Sequence, residues 1–111
     1  MDKILILANG STSLYLNRKE LIRNLARSYE VYVSTPYGDH VQRLTGMGCK
    51  FVCTPMNRRS TNFVTDSILF IKYIKMLRKI KPAVVLSYTI KPNVYGGLAC
   101  RVMSVPYIAN V

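Results

Sequence analysis

The sequence predicts an α/β fold, built as a three-layer, doubly wound parallel sheet. Short apolar runs with strand character alternate with segments in which apolar residues recur at helical spacing. The first run, Lys3–Ala8, is almost wholly apolar, which is typical of a parallel strand buried on both faces. A chain of 111 residues with 50% hydrophobic residues is long enough for one packed domain and too short for two.

Five segments have the pattern of strands and are bounded by turn residues. The turn Asn9-Gly10-Ser11 closes the first segment, and Pro36-Tyr37-Gly38-Asp39 closes the second. The predicted strands are Lys3–Ala8, Glu30–Thr35, Cys49–Thr54, Ala83–Ser87 and Pro106–Val111.

The segments between these strands have helical periodicity. Pro92 is well placed to start the last helix, because its fixed φ suits a first helical turn. Gly96 and Gly97 are expected to let that helix approach the sheet closely. The predicted helices are about Tyr15–Ser28, His40–Met47, about Asn62–Ile80, and a last helix that begins near Pro92.

The most frequent arrangement of strands joined by such helices is the order 3-2-1-4-5. This order makes strands one and four neighbours at the point where the winding of the sheet reverses. The loops that follow them, Asn9–Ser13 and Tyr88–Asn93, would then flank the crevice in which such sheets bind ligands. The alternative is that both loops are ordinary connections.

The composition favours an anionic partner. Sixteen Lys and Arg against five Asp and Glu give a formal net charge of +11, and residues 57–111 carry nine of those cations with one carboxylate, Asp66. No apolar stretch approaches the roughly 20 residues of a membrane span, so we expect a cytoplasmic chain. Cys49, Cys53 and Cys100 lack the spacing of a zinc or redox site and are expected to be reduced and buried.

The first loop matches neither the dinucleotide-binding fingerprint nor the P-loop. Asn9, Gly10 and Ser11 would present backbone amides at the start of a helix, where the dipole favours a phosphate or sugar oxygen. A tight turn that needs glycine explains the same residues equally well. Arg18, near the start of the first predicted helix, is expected to reach the crevice and hold a diphosphate or carboxylate, unless a frayed helix end leaves it in water.

The second loop offers polar groups to the same crevice. Lys91 is the candidate for the principal ligand contact, because it lies beside the predicted reversal point, and Tyr88 adds a hydroxyl. Asn93 is a further candidate, although it has the alternative role of capping the following helix.

The long third helix has an unusual outer surface. Lys72, Lys75 and Lys79 lie opposite its apolar arc, and Ile68 and Ile71 fall on or beside the lysines. This mixture of basic and apolar residues suits contact with an anionic bilayer surface. The preceding Arg58 and Arg59 would add positive charge to the same face of the protein. The alternative is a solvated face whose isoleucines are covered by the Arg58-Arg59 loop.

Groups for acid–base or metal chemistry are scarce. His40 is the one histidine, and it is predicted to lie away from the crevice. No paired carboxylates, metal cluster or nucleophilic triad can be assembled from the pattern. Any catalysis would depend on positioning, on charge stabilisation, or on residues elsewhere.

Several motifs resemble the amino-terminal part of bacterial family 4 glycosyltransferases of the GT-B fold, which assemble capsules, O-antigens and other glycans. The resemblance covers essentially the whole chain. The Lys91-Pro92-Asn93-x-Tyr95-Gly96 block is its most specific motif. The other matching segments are Lys3–Ala8, Asn9–Arg18, Thr35-Pro36, Ser87–Ala99 and Val105–Val111.

The resemblance implies a Rossmann-like, acceptor-side domain of a retaining transferase that needs no metal or other cofactor. It implies a polyprenyl-diphosphate-linked or glycan acceptor, a peripheral position at the inner face of the cell membrane, and a nucleotide-sugar donor held by a second domain. Residues 1–111 are then one incomplete domain, expected to be inactive alone and to self-associate through the last strand or to join a donor-domain chain. The rival hypotheses are a non-catalytic membrane-anchoring subunit and, less favoured, a nucleic-acid-binding module.

Overall fold

The structure is a computed structural model that describes residues 2–55 and 63–110. A strand begins the described chain, and helices alternate with strands from there on. The strands are β1 (Lys3–Leu7), β2 (Glu30–Thr35), β3 (Lys50–Cys53), β4 (Val84–Tyr88) and β5 (Tyr107–Asn110). The helices are α1 (Ser11–Ser28), α2 (Val41–Gly46), α3 (Phe63–Ile80) and α4 (Gly97–Met103), and a π-helical turn (Pro92–Gly96) precedes α4.

The sheet confirms the predicted fold class and strand order. All four strand pairs are parallel, and the order is β3-β2-β1-β4-β5. Strand β1 is central: Ile6 is in register with Val33 of β2 on one side and with Leu86 of β4 on the other. The winding therefore reverses between β1 and β4.

The side chains of β1 alternate between two cores, one on each face of the sheet. Ile4 and Ile6 pack with α1 and α2, whereas Leu5 and Leu7 pack with α3 and α4. All four are at most 5% exposed, and burying each contributes about 1.5–3 kcal/mol. Because both faces are covered, the strand has to be apolar along its whole length.

Helix α1 begins at Ser11, four residues before the predicted start. The sequence Ser11-Thr12-Ser13 resembles a loop by composition, but small polar residues are also common in a first helical turn, where they satisfy free backbone amides. The loop after β1 is correspondingly shorter than predicted. Arg18 consequently lies about two turns into the helix rather than in its first turn.

Helix α3 has the predicted buried and exposed sides. Ile68 and Ile71 are 48% and 51% exposed, and Lys72, Lys75 and Lys79 are exposed as well. Arg58 and Arg59, assigned to the same surface, lie outside the described residues. The buried side of α3 consists of Leu69, Tyr73, Met76, Leu77 and Ile80.

The three cysteines are free thiols. Cys49 and Cys100 are buried as predicted, and burial raises the pKa of each to about 11. The prediction is wrong for Cys53, which is exposed because it ends the edge strand β3. Within residues 2–55 and 63–110, no helix is long and apolar enough to cross a membrane, and no group of metal-ligating side chains is found.

The last helix approaches the sheet at its two glycines, as predicted. A Cβ at Gly96 would lie 2.6 Å from Cδ1 of Leu7, and one at Gly97 would lie 3.1 Å from the ring of Tyr107. Leu7 is 1% exposed and so has no free space to move into. The absence of side chains at these two positions sets the distance between helix and sheet.

We expect Gly96→Val to lower the free energy of unfolding by about 2 kcal/mol or more, because the new side chain would overlap Leu7 in a close-packed core. Gly46→Val is the matched control, because no atom lies within 4 Å of a Cβ built there, and it should change stability by less than about 0.5 kcal/mol. Urea unfolding followed by circular dichroism measures both. Equal effects of the two substitutions would contradict the close approach.

Candidate functional site

The loops after β1 and β4 lie at one edge of the sheet, because their strands are parallel neighbours. Between them is a pocket of about 210 Å³. Its lining comes from the end of β1, from the first two turns of α1, and from the ends of β4 and β5. The lining residues are Ala8, Ser13, Leu14, Asn17, Arg18, Tyr88, Thr89 and Asn110. We call this pocket the crevice.

Arg18 and Tyr88 meet across the crevice. The guanidinium carbon of Arg18 is 5.4 Å from the centre of the Tyr88 ring, within the range of a cation–π contact. One guanidinium nitrogen of Arg18 donates to the carbonyl of Asn17 at 3.3 Å. Arg18 is exposed, so its charge remains open to an anion from solvent. Because α1 begins at Ser11, Arg18 lies about two turns inside the helix and not at a frayed end, and its side chain lines the crevice.

A second pocket adjoins the crevice and shares Ser13 and Asn17 with it. Its volume is about 510 Å³, and it lies between the start of α1 and the turn after β2. The first-loop candidates Asn9, Gly10 and Ser11 line this second pocket rather than the crevice. The segments that line it are Asn9–Ser13, Leu16-Asn17 and Pro36–Asp39. We call it the amide pocket, since the first amides of α1 border it.

The start of α1 has features of an anion site. Gly10 precedes the helix with extended backbone, no side chain caps the helix, and its first turn contains no acidic residue. The hydroxyl of Ser11 is buried and has no hydrogen-bond partner among the described residues. A Cβ at Gly38 would lie 2.6 Å from that hydroxyl, so glycine keeps this wall of the amide pocket open. Free helix amides and an unpaired hydroxyl are suited to an oxyanion.

Lys91 lies outside both pockets and forms an internal ion pair. Its ammonium contacts Oδ1 of Asp66 at 2.8 Å, and the hydroxyl of Tyr95 donates to Oδ2 of the same carboxylate at 3.0 Å. The Lys91 and Asp66 side chains are 15% and 7% exposed. The hydrogen bond from Lys91 lowers the pKa of Asp66. The pair joins the first turn of α3 to the loop after β4, so Lys91 has a structural contact that the sequence pattern did not reveal.

Asn93 links the ends of β4 and β5. Its Oδ1 accepts from the hydroxyl of Ser87 at 2.6 Å, and its Nδ2 donates to the carbonyl of Asn110 at 2.6 Å. The side chain of Asn110 donates in turn to the carbonyl of Ser87 at 3.3 Å. Asn93 makes no side-chain cap at the start of this helix. It instead fixes Asn110, which lines the crevice.

Thr89 has an unusual backbone conformation at the mouth of the crevice. Its φ is +71°, a region that costs a β-branched residue free energy. The amide of Asn93 donates to the Thr89 carbonyl at 3.1 Å, and the Thr89 hydroxyl donates to the Tyr88 carbonyl. These bonds hold the strained residue. Strained residues of this kind occur frequently where proteins bind ligands.

His40 lies closer to these pockets than the sequence predicts. Nδ1 of His40 is 2.9 Å from the hydroxyl of Thr12, which lines the amide pocket, and the imidazole stacks on Tyr15 at 5.3 Å between ring centres. His40 directly precedes α2, and the contact of α2 with α1 brings it to the start of α1. Helix periodicity does not encode this packing, so the sequence pattern missed it.

Comparison with known proteins identifies the family. The profile described as Glycosyl transferase 4-like matches residues 3–111. The chain belongs to this family. It is therefore a glycosyltransferase-related domain, as the motif around Lys91 implies.

One curated relative matches most of the chain. The chain is 28% identical over 106 residues to N,N'-diacetylbacillosaminyl-diphospho-undecaprenol alpha-1,3-N-acetylgalactosaminyltransferase of Campylobacter jejuni. The match covers 95% of this chain and 28% of that enzyme, so the chain spans under a third of its relative. As its name states, that enzyme transfers N-acetylgalactosamine to an undecaprenol-diphosphate-linked sugar.

The solved structures show the same fold at low sequence identity. A glycosyltransferase from Rickettsia africae superimposes with a TM-score of 0.78 at 16% identity, over 97% of this chain and 29% of that one. MurG from Acinetobacter baumannii superimposes with a TM-score of 0.77 at 15% identity, over 98% of this chain and 33% of that one. The fold therefore matches that of the Rossmann-like amino-terminal half of GT-B structures.

We expect Asp66→Asn to destabilise the protein at neutral pH, because it removes the charged partner of Lys91 in a largely buried site. The folded-state pKa of Asp66 is below 3.8, its ordinary value. The stability that the carboxylate contributes is therefore complete above that value and is lost as the pH falls through the lower folded pKa. Urea unfolding between about pH 6 and about pH 2 should show a steeper acid loss for the wild type than for Asp66→Asn.

A double variant provides the control for this ion pair. Asp66→Asn combined with Lys91→Met removes both charges, and it should recover part of the stability lost in the single variant. The same dependence on pH in the wild type and in Asp66→Asn would show that the pair has no role in acid stability.

Proposed function

We propose that this chain is the acceptor-binding part of a glycosyltransferase that moves a sugar from a nucleotide-sugar donor to a polyprenyl-diphosphate-linked glycan. One observation supports this above all: two adjoining pockets at the carboxyl edge of the sheet combine an uncapped helix start with an exposed arginine. That edge is where doubly wound folds bind ligands. In this proposal the acceptor is held by these protein groups without a metal.

The two pockets suggest a division of roles. The amide pocket suits the diphosphate, because helix amides and the Ser11 hydroxyl can donate to its oxygens. The crevice suits the sugar, because its lining includes the aromatic side chain of Tyr88 and the amide side chain of Asn17. Arg18 lies in the crevice directly after Asn17, which lines both pockets, so its guanidinium serves both parts of such a ligand.

Residues 1–111 form, in this proposal, one incomplete domain, and the donor sugar is held by another domain in the same polypeptide or in a partner chain. The observation that favours such a partner is a row of exposed apolar side chains at a spacing of four residues. It begins just before the π-helical turn, continues along that turn and α4, and comprises Ile90, Val94, Leu98 and Val102. A donor domain or a second copy of this chain would cover it.

We further propose that the outer face of α3 contacts the inner, anionic surface of the cell membrane. Lys72, Lys75 and Lys79 form no ion pair with any described residue, and exposed Ile68 and Ile71 add apolar area beside them. Such a contact would bring the domain to the surface at which a lipid-linked acceptor is presented. A non-catalytic anchoring subunit would share this face and would differ in lacking the acceptor affinity of the crevice.

We expect Arg18→Ala to weaken the binding of a short-chain prenyl-diphosphate-linked N-acetylated sugar by tenfold or more, because a charge-assisted contact contributes about 1.5–3 kcal/mol. Arg27→Ala is the matched control, since Arg27 is exposed in the last turn of the same helix, away from the crevice. Isothermal titration calorimetry at low salt measures both. Equal losses for the two variants, or no binding by the wild type, would contradict acceptor binding. Turnover of a nucleotide sugar by residues 1–111 alone would contradict the proposal that a separate domain holds the donor.

Reversing the charge of Lys72, Lys75 and Lys79 to Glu should weaken binding to phosphatidylglycerol vesicles about a hundredfold, since each lysine near an anionic surface contributes about 1 kcal/mol. The matched control reverses Arg23, Arg27 and Arg43, which are exposed on the opposite side of the sheet. Co-sedimentation measures both triple variants. Equal losses would show a response to net charge only, and wild-type affinity for RNA or DNA of similar strength would favour the nucleic-acid hypothesis.

A further inference from the structure

A third pocket lies on the flank of the molecule, away from the crevice. It is a groove of about 320 Å³ between the edge of the sheet at β2 and β3 and the second half of α3. This volume is at the lower end of the range for small-molecule sites. The groove is lined by Tyr32, Val52, Cys53, Thr54, Lys72, Lys75, Met76, Lys79 and Ile80.

The floor of the groove is apolar, because its polar groups are already engaged within the protein. The hydroxyl of Thr54 is bonded to that of Ser34, and the hydroxyl of Tyr32 donates to Glu30 at 3.0 Å. Val52 and Met76 contribute hydrocarbon and thioether surface. A ligand in this groove would find few free hydrogen-bond partners on the floor and would be held by apolar contact.

The rim of the groove is cationic. Lys72, Lys75 and Lys79 recur at intervals of three and four, so their ammonium groups follow one side of α3. No carboxylate is among the lining residues, and nearby Glu30 is already paired with Lys50. The aliphatic stems of the lysines extend the apolar surface, while their charges remain at the opening.

An apolar floor, with three cations at its rim that form no ion pair with any described residue, matches an amphiphile that has an anionic headgroup and a hydrocarbon chain. We propose that this groove binds one chain of an anionic lipid, with the headgroup among Lys72, Lys75 and Lys79. The inference rests on the proposed membrane contact of α3 and adds a binding site to it. In this inference the lysines face a charged surface and also border a site for a single lipid molecule. The groove is separate from the acceptor pockets, with which it shares no residue.

The exposed thiol of Cys53 allows a direct measurement, because the other two cysteines are buried. The rate at which iodoacetamide modifies Cys53 should fall at least fivefold when dodecyl phosphate is added at monomeric concentrations, because a bound hydrocarbon chain would cover the thiol. Ethyl phosphate and dodecyl maltoside provide the charge alone and the chain alone, and each should bind at least tenfold more weakly. If ethyl phosphate bound as tightly as dodecyl phosphate, the groove would be a phosphate site without a role for the hydrocarbon chain, and the proposal would be overturned.

Two substitutions test the floor and the rim separately by calorimetry with dodecyl phosphate. Cys53→Trp fills the groove from its exposed edge and should weaken binding at least tenfold, whereas Gln42→Trp on exposed α2 should not. Lys75→Glu with Lys79→Glu should weaken binding to a similar degree, whereas Arg23→Glu with Arg27→Glu should not. Circular dichroism and thermal unfolding show whether each variant is folded.

The outcomes separate this inference from the membrane proposal on which it rests. Vesicle binding that depends on the lysines but is unchanged in Cys53→Trp would leave the proposed surface contact in place and would overturn the lipid site. The lipid site would be supported if reversal of the lysine charges abolished both vesicle binding and dodecyl phosphate binding, and if Cys53→Trp also abolished dodecyl phosphate binding. An acidic peptide that displaces dodecyl phosphate at equal concentration would instead assign the groove to a protein partner.

Discussion

The parallel pairing of β1 with both β2 and β4 is the constraint on which the rest of this structure depends. Because β1 is covered on both faces, its alternate side chains anchor two separate cores, one with α1 and α2 and the other with α3 and α4. The chain leaves β1 and β4 toward opposite faces of the sheet, so no helix closes the gap between their ends. The crevice therefore follows from the winding of the sheet, and its chemistry follows from the residues at the two ends.

The fold could be predicted from the sequence because its signals are local. The apolar run of β1, the periodicity of α3 and the position of Pro92 each depend on residues within one element. The order of the strands then follows from a general rule of winding and not from any particular residue. Local signals also placed Arg18 and Tyr88 near each other, since each follows one of the two central strands.

The polar contacts of the site could be predicted only in part, because they join distant segments. Asp66 and Lys91 are 25 positions apart, and the local sequence around either residue does not predict its partner. A signal did exist: Asp66 falls on the same side of α3 as Leu69 and Tyr73, and a carboxylate on a buried side needs a cation. The start of α1 was hidden for another reason, since its small polar residues are equally common in loops and in first helical turns.

The ion pair of Asp66 and Lys91 also affects the electrostatic potential around the protein. Asp66 is the one acidic side chain of residues 57–111, and it is directed inward to the ammonium of Lys91 and the hydroxyl of Tyr95. The other cations of this half therefore have no counter-charge from it, and their fields add beyond the surface. Encounter with any anionic body should then be accelerated by long-range attraction, and the attraction should fade as added ions shorten the Debye length to about 8 Å at physiological ionic strength.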